Sequence, residues 1–260
     1  MTHGVRMLRS TERFSSRVEN YIKYRPGYPA AVLELLQAQC ALAPASIVAD
    51  VGAGTGILTA LLLTSGAAVV AVEPNREMRA AAERLLSGDG RFRSVAGTAE
   101  ATTLPAASVE LVVAGQAFHW FDVQRARAEF IRVLKPGGCV ALISNEQPPE
   151  PTPLLADYEA LLRRHSAEYD EISSLRVDET RIREFFGGRC ELTTFPNQQI
   201  FEFAGLEGRL LSSSYAPEPG HPQHEPMLAG LKEVFERHQR AGQVVFPYQT
   251  LVYWGRLEQR

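Results

Sequence analysis

The sequence predicts an α/β protein: a doubly wound, mostly parallel sheet with helices packed on both of its faces. Short apolar runs alternate with helix-like segments through the first half, the connections between them are brief, and a glycine-rich turn follows the first run. That alternation is how a parallel sheet is built, because each strand must cross back over the sheet through a covering helix.

The run SIVADV at 46–51 ends in an acid and glycines, as a buried parallel strand should. Residues 57–64 read as a helix beginning after the glycines. AAVVAV at 67–72 is the next strand, and 75–86 has the Ala, Glu, Arg and Leu content of a helix. Residues 91–96 make a third strand and VELVVA at 109–114 a fourth. A helix over 123–134 is expected to stop at Lys135-Pro136-Gly137-Gly138, and CVALIS at 139–144 is a fifth strand.

From Glu146 the character changes, and Gln147-Pro148-Pro149-Glu150-Pro151 is a proline-rich exit from the core. Helices are expected at 153–168, 178–186, 206–213 and 225–239. A long strand at 191–203 and a last strand at 243–253 bring the sheet to seven. We read one composite domain: a helical arm and cap over 1–45, a ligand-binding core over 46–146, and sheet completion with a lid over 147–260.

Composition narrows the function. At 260 residues, 45% hydrophobic and 22% charged, the chain is ordinary for a globular protein. A net charge of -3 gives no basic excess for neutralising phosphates, so nucleic acid is not expected as a partner. No apolar leader or long uncharged span is seen, so membrane association is not expected and the setting is read as cytoplasmic. Cys40, Cys139 and Cys190 lack metal spacing, so neither a metal site nor a disulfide is expected, and buried reduced thiols are.

The densest signal is Asp50-Val51-Gly52-Ala53-Gly54-Thr55-Gly56, between a strand and a helix. Glycines let the chain turn sharply and leave the backbone open to a ligand. The N–H groups at the helix start are expected to be exposed and to favour a polar or anionic group. Glu73, at the end of the second strand, is placed to accept hydrogen bonds from ribose hydroxyls. The spacing is GxGxG, whereas the dinucleotide fingerprint is GxGxxG, so a ligand with ribose and adenine but no pyrophosphate fits better.

The stretch 48–144 resembles the Rossmann-like core of class I S-adenosylmethionine-dependent methyltransferases, on four motifs in order: ADVGAGTG, AVEPN, GTAEATTLP and VLKPGG. The resemblance implies that Asp50 orients the loop and reaches the methionine amine, directly or through water. Gly52, Ala53 and Gly54 would face the cofactor with backbone atoms. Glu73 would hold the ribose, and Pro74 and Met78 would flank the adenine, although Met78 also reads as a helix-face core residue. Thr98, Ala99 and Glu100 would contact the adenine edge. The family often has an aspartate where Thr98 stands, which leaves Thr98 and Glu100 as alternatives for the exocyclic amine.

Residues 14–29, with Phe14, Tyr21, Arg25, Pro26, Tyr28 and Pro29, resemble the FxxxAxxYxxxRPxYP arm of small-molecule methyltransferases, including those related to trans-aconitate methyltransferase; Val18 replaces the usual alanine. That resemblance implies that Tyr21 and Arg25 cover the methionine carboxylate and that Tyr28 faces the acceptor. In Gln116-Ala117-Phe118-His119-Trp120, Gln116 is expected near the sulfonium, because residues after strand ends line the ligand crevice. His119 is either a general base or a core residue, and Trp120 either a substrate contact or a packing wall. Ser212-Ser213-Ser214-Tyr215 resembles the acceptor-facing SxSY segment of the same family, which makes Ser213 and Tyr215 substrate candidates beside the reading of a plain helix-ending loop.

The expected function is methyl transfer from S-adenosylmethionine to a small molecule, at an oxygen of an organic acid, by a monomer or homodimer without metal. A nicotinamide-dependent oxidoreductase and a non-catalytic S-adenosylmethionine-binding protein are the alternatives. The loop spacing and the GTAE and KPGG segments count against the first. Asp50, Gly52, Gly54 and Glu73 are all present, which argues for retained cofactor binding without deciding turnover.

Overall fold

The computed structural model describes residues 23–166, 169–170, 178–213 and 215–258. The arm contributes α1 (Ala30–Gln39), after which strand and helix alternate: β1 (Ile47–Val51), α2 (Ile57–Leu63), β2 (Ala68–Val72), α3 (Arg76–Leu86), β3 (Phe92–Val95) and β4 (Val109–Gly115). A 3-10 turn (Phe118–Trp120) then leads into α4 (Val123–Val133) and β5 (Leu134–Glu146). The second half supplies α5 (Pro153–His165), α6 (Glu179–Phe186), β6 (Glu191–Phe201), α7 (Phe203–Leu211), α8 (His224–His238) and β7 (Val244–Gly255).

The strands form one seven-stranded sheet in the order β3-β2-β1-β4-β5-β7-β6. β1 to β5 run parallel, while β7 pairs antiparallel with both β5 and β6. The order reverses between β1 and β4, and such a switch point opens a crevice above the carboxyl ends of the strands.

Side chains alternate across each strand, so the middle strands feed both faces. Leu111, Val113, Ala141 and Ile143 pack with Val32 and Leu36 of α1 and Leu58 and Leu62 of α2. Val112, Ala114, Val140 and Leu142 pack on the other face with Phe130 of α4 and Phe185 of α6. A third cluster joins α5, α7 and α8 to Phe201, Phe246 and Tyr248, so the C-terminal half has an apolar centre of its own.

Two expectations need correction. The helix over 123–134 ends at Val133, and Lys135-Pro136-Gly137-Gly138 lies in the irregular start of β5, where pairing with β4 shifts between Val109 and Leu111. Pro and Gly did end the helix, but the freed chain went straight into sheet pairing. Cys40 and Cys139 are joined as a disulfide across 99 residues, both buried, where reduced thiols were expected. Cys40 caps α1 and Cys139 lies on the β5 face that α1 covers, a proximity that spacing in the chain does not reveal. Cys190 is a free thiol.

No helix among the described residues is long and apolar enough to cross a membrane. Nor does any group of three His, Cys, Asp or Glu among them stand where it could hold a metal.

Candidate active site

β1 delivers Asp50 to the switch point with its side chain on the α2 face. The carboxylate is fully buried; Oδ2 accepts a hydrogen bond of 2.6 Å from the Thr59 hydroxyl, and Oδ1 has no partner among the described residues. Burial pushes the Asp50 carboxyl up to about 7; the Thr59 hydrogen bond opposes that rise and the nearby Glu73 charge adds to it. Thr59 went unnoticed in the sequence, although a threonine nine residues after the acid, in the first turn of a helix, is the available signal.

The glycine turn closes against β2. Gly52 and Ala53 donate their N–H groups to the Val72 carbonyl, and Gly54 donates to Glu73 Oε2 at 2.9 Å. The glycine turn ahead of α2 is thereby locked to the neighbouring strand. Gly52 has a φ of +73°, and a Cβ there would sit 2.5 Å from the Ala117 Cβ, so glycine is required both by conformation and by space.

Glu73 is buried at 7% exposure, with Oε1 accepting from the Asn75 N–H at 2.8 Å. Burial raises its pKa, and the hydrogen bonds from Asn75 and Gly54 work against that rise. Each oxygen carries two acceptor sites, so a carboxylate bonded once at each oxygen can still receive two ribose hydroxyls. The Arg79 guanidinium donates to the Glu73 carbonyl and fixes the turn from outside. Pro74 is exposed beside it. Met78 is buried, and its sulfur lies 3.6 Å from where a Gly54 Cβ would stand. Met78 thus packs against the glycine loop.

Thr98 and Ala101 form a two-residue bridge that turns the chain after β3, with Ala99 buried inside it. Glu100 accepts the Asp122 N–H at 2.9 Å, holding the loop that follows the 3-10 turn. Its other oxygen takes no part in that bond, so Glu100 and Thr98 both stay as alternatives for the adenine edge.

Gln116 leaves β4 with a φ of +55°, an uncommon conformation for a residue with a side chain. Its N–H donates to the Ile143 carbonyl and its amide to the Asn145 carbonyl, so the strained residue is pinned across β5. His119 is half-buried, tilted against Trp120 with ring centroids 4.7 Å apart, and Trp120 packs on the core. His119 borders a cleft of about 430 Å³, counting the solvent open to it, that Gln116, Ser144, Glu146, Asp178 and Arg181 also line.

Tyr21 lies outside the described residues, as do Phe14, Val18 and Ser214. The Tyr28 hydroxyl sits 2.6 Å from where a Gly115 Cβ would be, over the end of β4 and beside Gln116. Arg25 donates to the Ser212 carbonyl at 3.1 Å, so at least part of its guanidinium ties the arm to the lid rather than facing the cofactor. Ser213 is fully buried, with its hydroxyl 3.4 Å from Arg209 Nη1, and the Tyr215 ring stacks edge-on with Tyr169. Arg209 itself had no place in the sequence reading.

The donor set suits S-adenosylmethionine: an unpartnered buried carboxylate oxygen for an ammonium, spare acceptor sites on Glu73, and glycines where side chains would block the approach. Residues 49–142 match the family described as a methyltransferase domain. An uncharacterized methyltransferase of Mycobacterium bovis is 41% identical over 132 residues, a match spanning about half of this chain and about half the length of that relative. An uncharacterized methyltransferase-like protein of Schizosaccharomyces pombe is 28% identical over 92% of this chain and 93% of its own. Among solved structures, the provisionally assigned type II methyltransferase of Anaeromyxobacter dehalogenans superposes with a TM-score of 0.61 at 24% identity, covering 91% of this chain and all of that one. A phosphoethanolamine N-methyltransferase of Haemonchus contortus, bound to phosphomonomethylethanolamine and S-adenosylhomocysteine, gives 0.60 at 15% identity over 97% of this chain and 59% of its own. The seven-stranded sheet thus has the Rossmann-like fold of these methyltransferase structures.

Proposed function

We propose that this domain makes the chain an S-adenosylmethionine-dependent methyltransferase, acting on an oxygen of a small organic acid, related to the trans-aconitate methyltransferases and working in the cytoplasm. The observation that carries the reading is the pair of buried carboxylates at the switch point. Asp50 keeps one oxygen unbonded, and Glu73 is fastened to the glycine loop with acceptor capacity to spare.

In this reading Asp50 receives the ammonium of the cofactor's methionine, whose positive charge offsets the burial that now keeps a proton on the carboxyl. Glu73 accepts the ribose hydroxyls. Pro74 and Met78 enclose the adenine, with Ala99 and either Thr98 or Glu100 at its edge. Arg25 and Tyr21 close over the methionine carboxylate, and Gln116 holds the chain at the sulfonium end. When bound, S-adenosylmethionine supplies a sulfonium-activated methyl group: an acceptor oxygen bonds to that carbon as the carbon–sulfur pair departs to sulfur, leaving S-adenosylhomocysteine.

The protein's own contribution is alignment, which supplies much of the rate when the donor is already a strong electrophile. Tyr28 and Trp120, with Ser213 and Tyr215 from the lid, border the acceptor. A carboxylate acceptor needs no deprotonation at neutral pH, whereas a phenol or amine would need a base, and His119 is the group for it.

Turnover of methyl-labelled donor against matched carboxylic acids, phenols and amines tests the whole reading. Label in the ester of an acid is expected, with little dependence on His119, so that His119→Asn keeps most of the activity. Transfer to amines alone, lost in His119→Asn, would overturn the oxygen-acceptor assignment. Absence of transfer to all three classes, with S-adenosylhomocysteine still bound, would favour a non-catalytic binding protein.

A further inference from the structure

The lid buries a positive charge that no carboxylate among the described residues neutralises. Arg209 on α7 is 8% exposed, and no carboxylate pairs with it among the described residues. Its Nε donates to the Tyr248 hydroxyl at 2.7 Å, Nη1 reaches Ser213 Oγ at 3.4 Å, and Nη2 makes no hydrogen bond to the described residues. The guanidinium lies over two neighbouring aromatic rings, 5.1 Å from the Phe246 centroid and 5.8 Å from that of Tyr248. The titratable groups that face it are the phenols of Tyr248, Tyr158 and Tyr215. Tyr158 is 1% exposed, and its hydroxyl has no hydrogen-bond partner among the described residues. A buried charge is ordinarily paired, and a buried hydroxyl ordinarily bonded. Two such vacancies side by side, one cationic and one a donor, are complementary to an anion.

The position fits an acceptor as well as the chemistry does. β5 ends at Glu146, opposite Gln249, whereas β7 runs on past it, so that Phe246 and Tyr248 stand beyond the carboxyl edge of the parallel strands. A continuous set of contacts leads from there to the end of β4. Tyr248 donates to the Gln199 side chain, Gln199 donates to the Tyr24 carbonyl, and Gly27 accepts from Asn145 and Asn197. Tyr28 then covers Gly115. Tyr24 itself lies on Gly208, where a Cβ would overlap its ring, which fixes the arm beside Arg209.

We infer that Arg209, with the hydroxyl of Tyr158, is the binding site for an anchoring carboxylate of the acceptor. This rests on the methyltransferase reading and specifies its substrate. The flat guanidinium fork matches a planar carboxylate, which can take two parallel hydrogen bonds from it. A carboxylate clamped in this way is a poor nucleophile, so the methyl group goes to a second carboxylate of the same acid.

Calorimetry on the S-adenosylhomocysteine-loaded protein tests this with three probes of similar size: benzoate, benzamide and phenyl phosphate. Benzoate is expected to bind, benzamide at least tenfold more weakly, and phenyl phosphate no better than benzoate. Tyr158→Phe is expected to weaken benzoate about tenfold, the effect of one lost hydrogen bond to a charged group, with S-adenosylhomocysteine affinity and melting temperature unchanged. Arg209→Met is expected to abolish benzoate binding without lowering the melting temperature, because it removes an unpaired buried charge. Equal binding of benzoate and benzamide, no binding of benzoate, tighter binding of phenyl phosphate, or a destabilised Arg209→Met with intact benzoate affinity would each overturn the assignment. Failure to bind S-adenosylhomocysteine at all would instead overturn the reading on which it rests.

Discussion

Asp50 shows how a single residue couples the fold to its ligand. Its carboxyl is buried without a cation, so the folded protein holds its proton up to about pH 7, against an ordinary value of 3.8. The sign follows from proton counting. Below about pH 4 the group is neutral in both folded and unfolded chains, and its stabilising effect is fully present. As pH rises, the unfolded chain ionises first, and stability falls until the folded group also ionises near 7, a loss on the order of 4 kcal/mol. An ammonium bound beside Oδ1 reverses the preference. S-adenosylhomocysteine affinity should therefore rise with pH up to about 7, by as much as tenfold per unit, and flatten above it. Titration calorimetry between pH 5.5 and 8 reads this directly; a flat profile, or the same slope in Asp50→Asn, would contradict the role given to Asp50.

At the scale of elements, the strands and helices of the core were legible because each buried strand is an apolar run closed by turn residues. β1, β2 and β4 fall within a residue of where their sequence runs put them. The Asn75 and Asp122 side chains cap α3 and α4, bonding the N–H groups of Met78 and Arg125, which is why those helices begin where they do. What the sequence could not convey was contact between distant elements. The Cys40–Cys139 bond joins the end of α1 to β5, and its closure of a 99-residue span restricts the unfolded chain. Reduction should lower the unfolding free energy by about 2–4 kcal/mol, seen as a lower denaturant midpoint. A midpoint indifferent to reductant would show that the bond does not bear on stability.

For the whole molecule, arm, core and lid meet at Asn145. Its amide donates to the Gly27 carbonyl of the arm, and its Oδ1 accepts from Thr250 at 2.6 Å and from Asn197 at 3.1 Å. Three distant parts of the chain thus share one side chain at the mouth of the crevice. Asn145→Ala should raise hydrogen exchange at residues 27–31 at least tenfold while leaving β1 and β2 protected, as mass spectrometry of exchanged peptides would record; unchanged exchange there would mean that the arm is held elsewhere. The same convergence explains what the sequence concealed about the site. Asp50, the glycines and Glu73 lie within one strand-turn-helix-strand unit and announce themselves by spacing. Arg209, Tyr158 and Tyr248 come from α7, α5 and β7, and only the folded lid brings them together.

The most direct test of the account is calorimetric titration of the intact chain with S-adenosylhomocysteine and, separately, with NAD, repeated with Glu73→Ala. Saturable binding of S-adenosylhomocysteine, none of NAD, and a loss of at least tenfold in Glu73→Ala are predicted. Equal affinity in Glu73→Ala, or binding of NAD in place of S-adenosylhomocysteine, would contradict it.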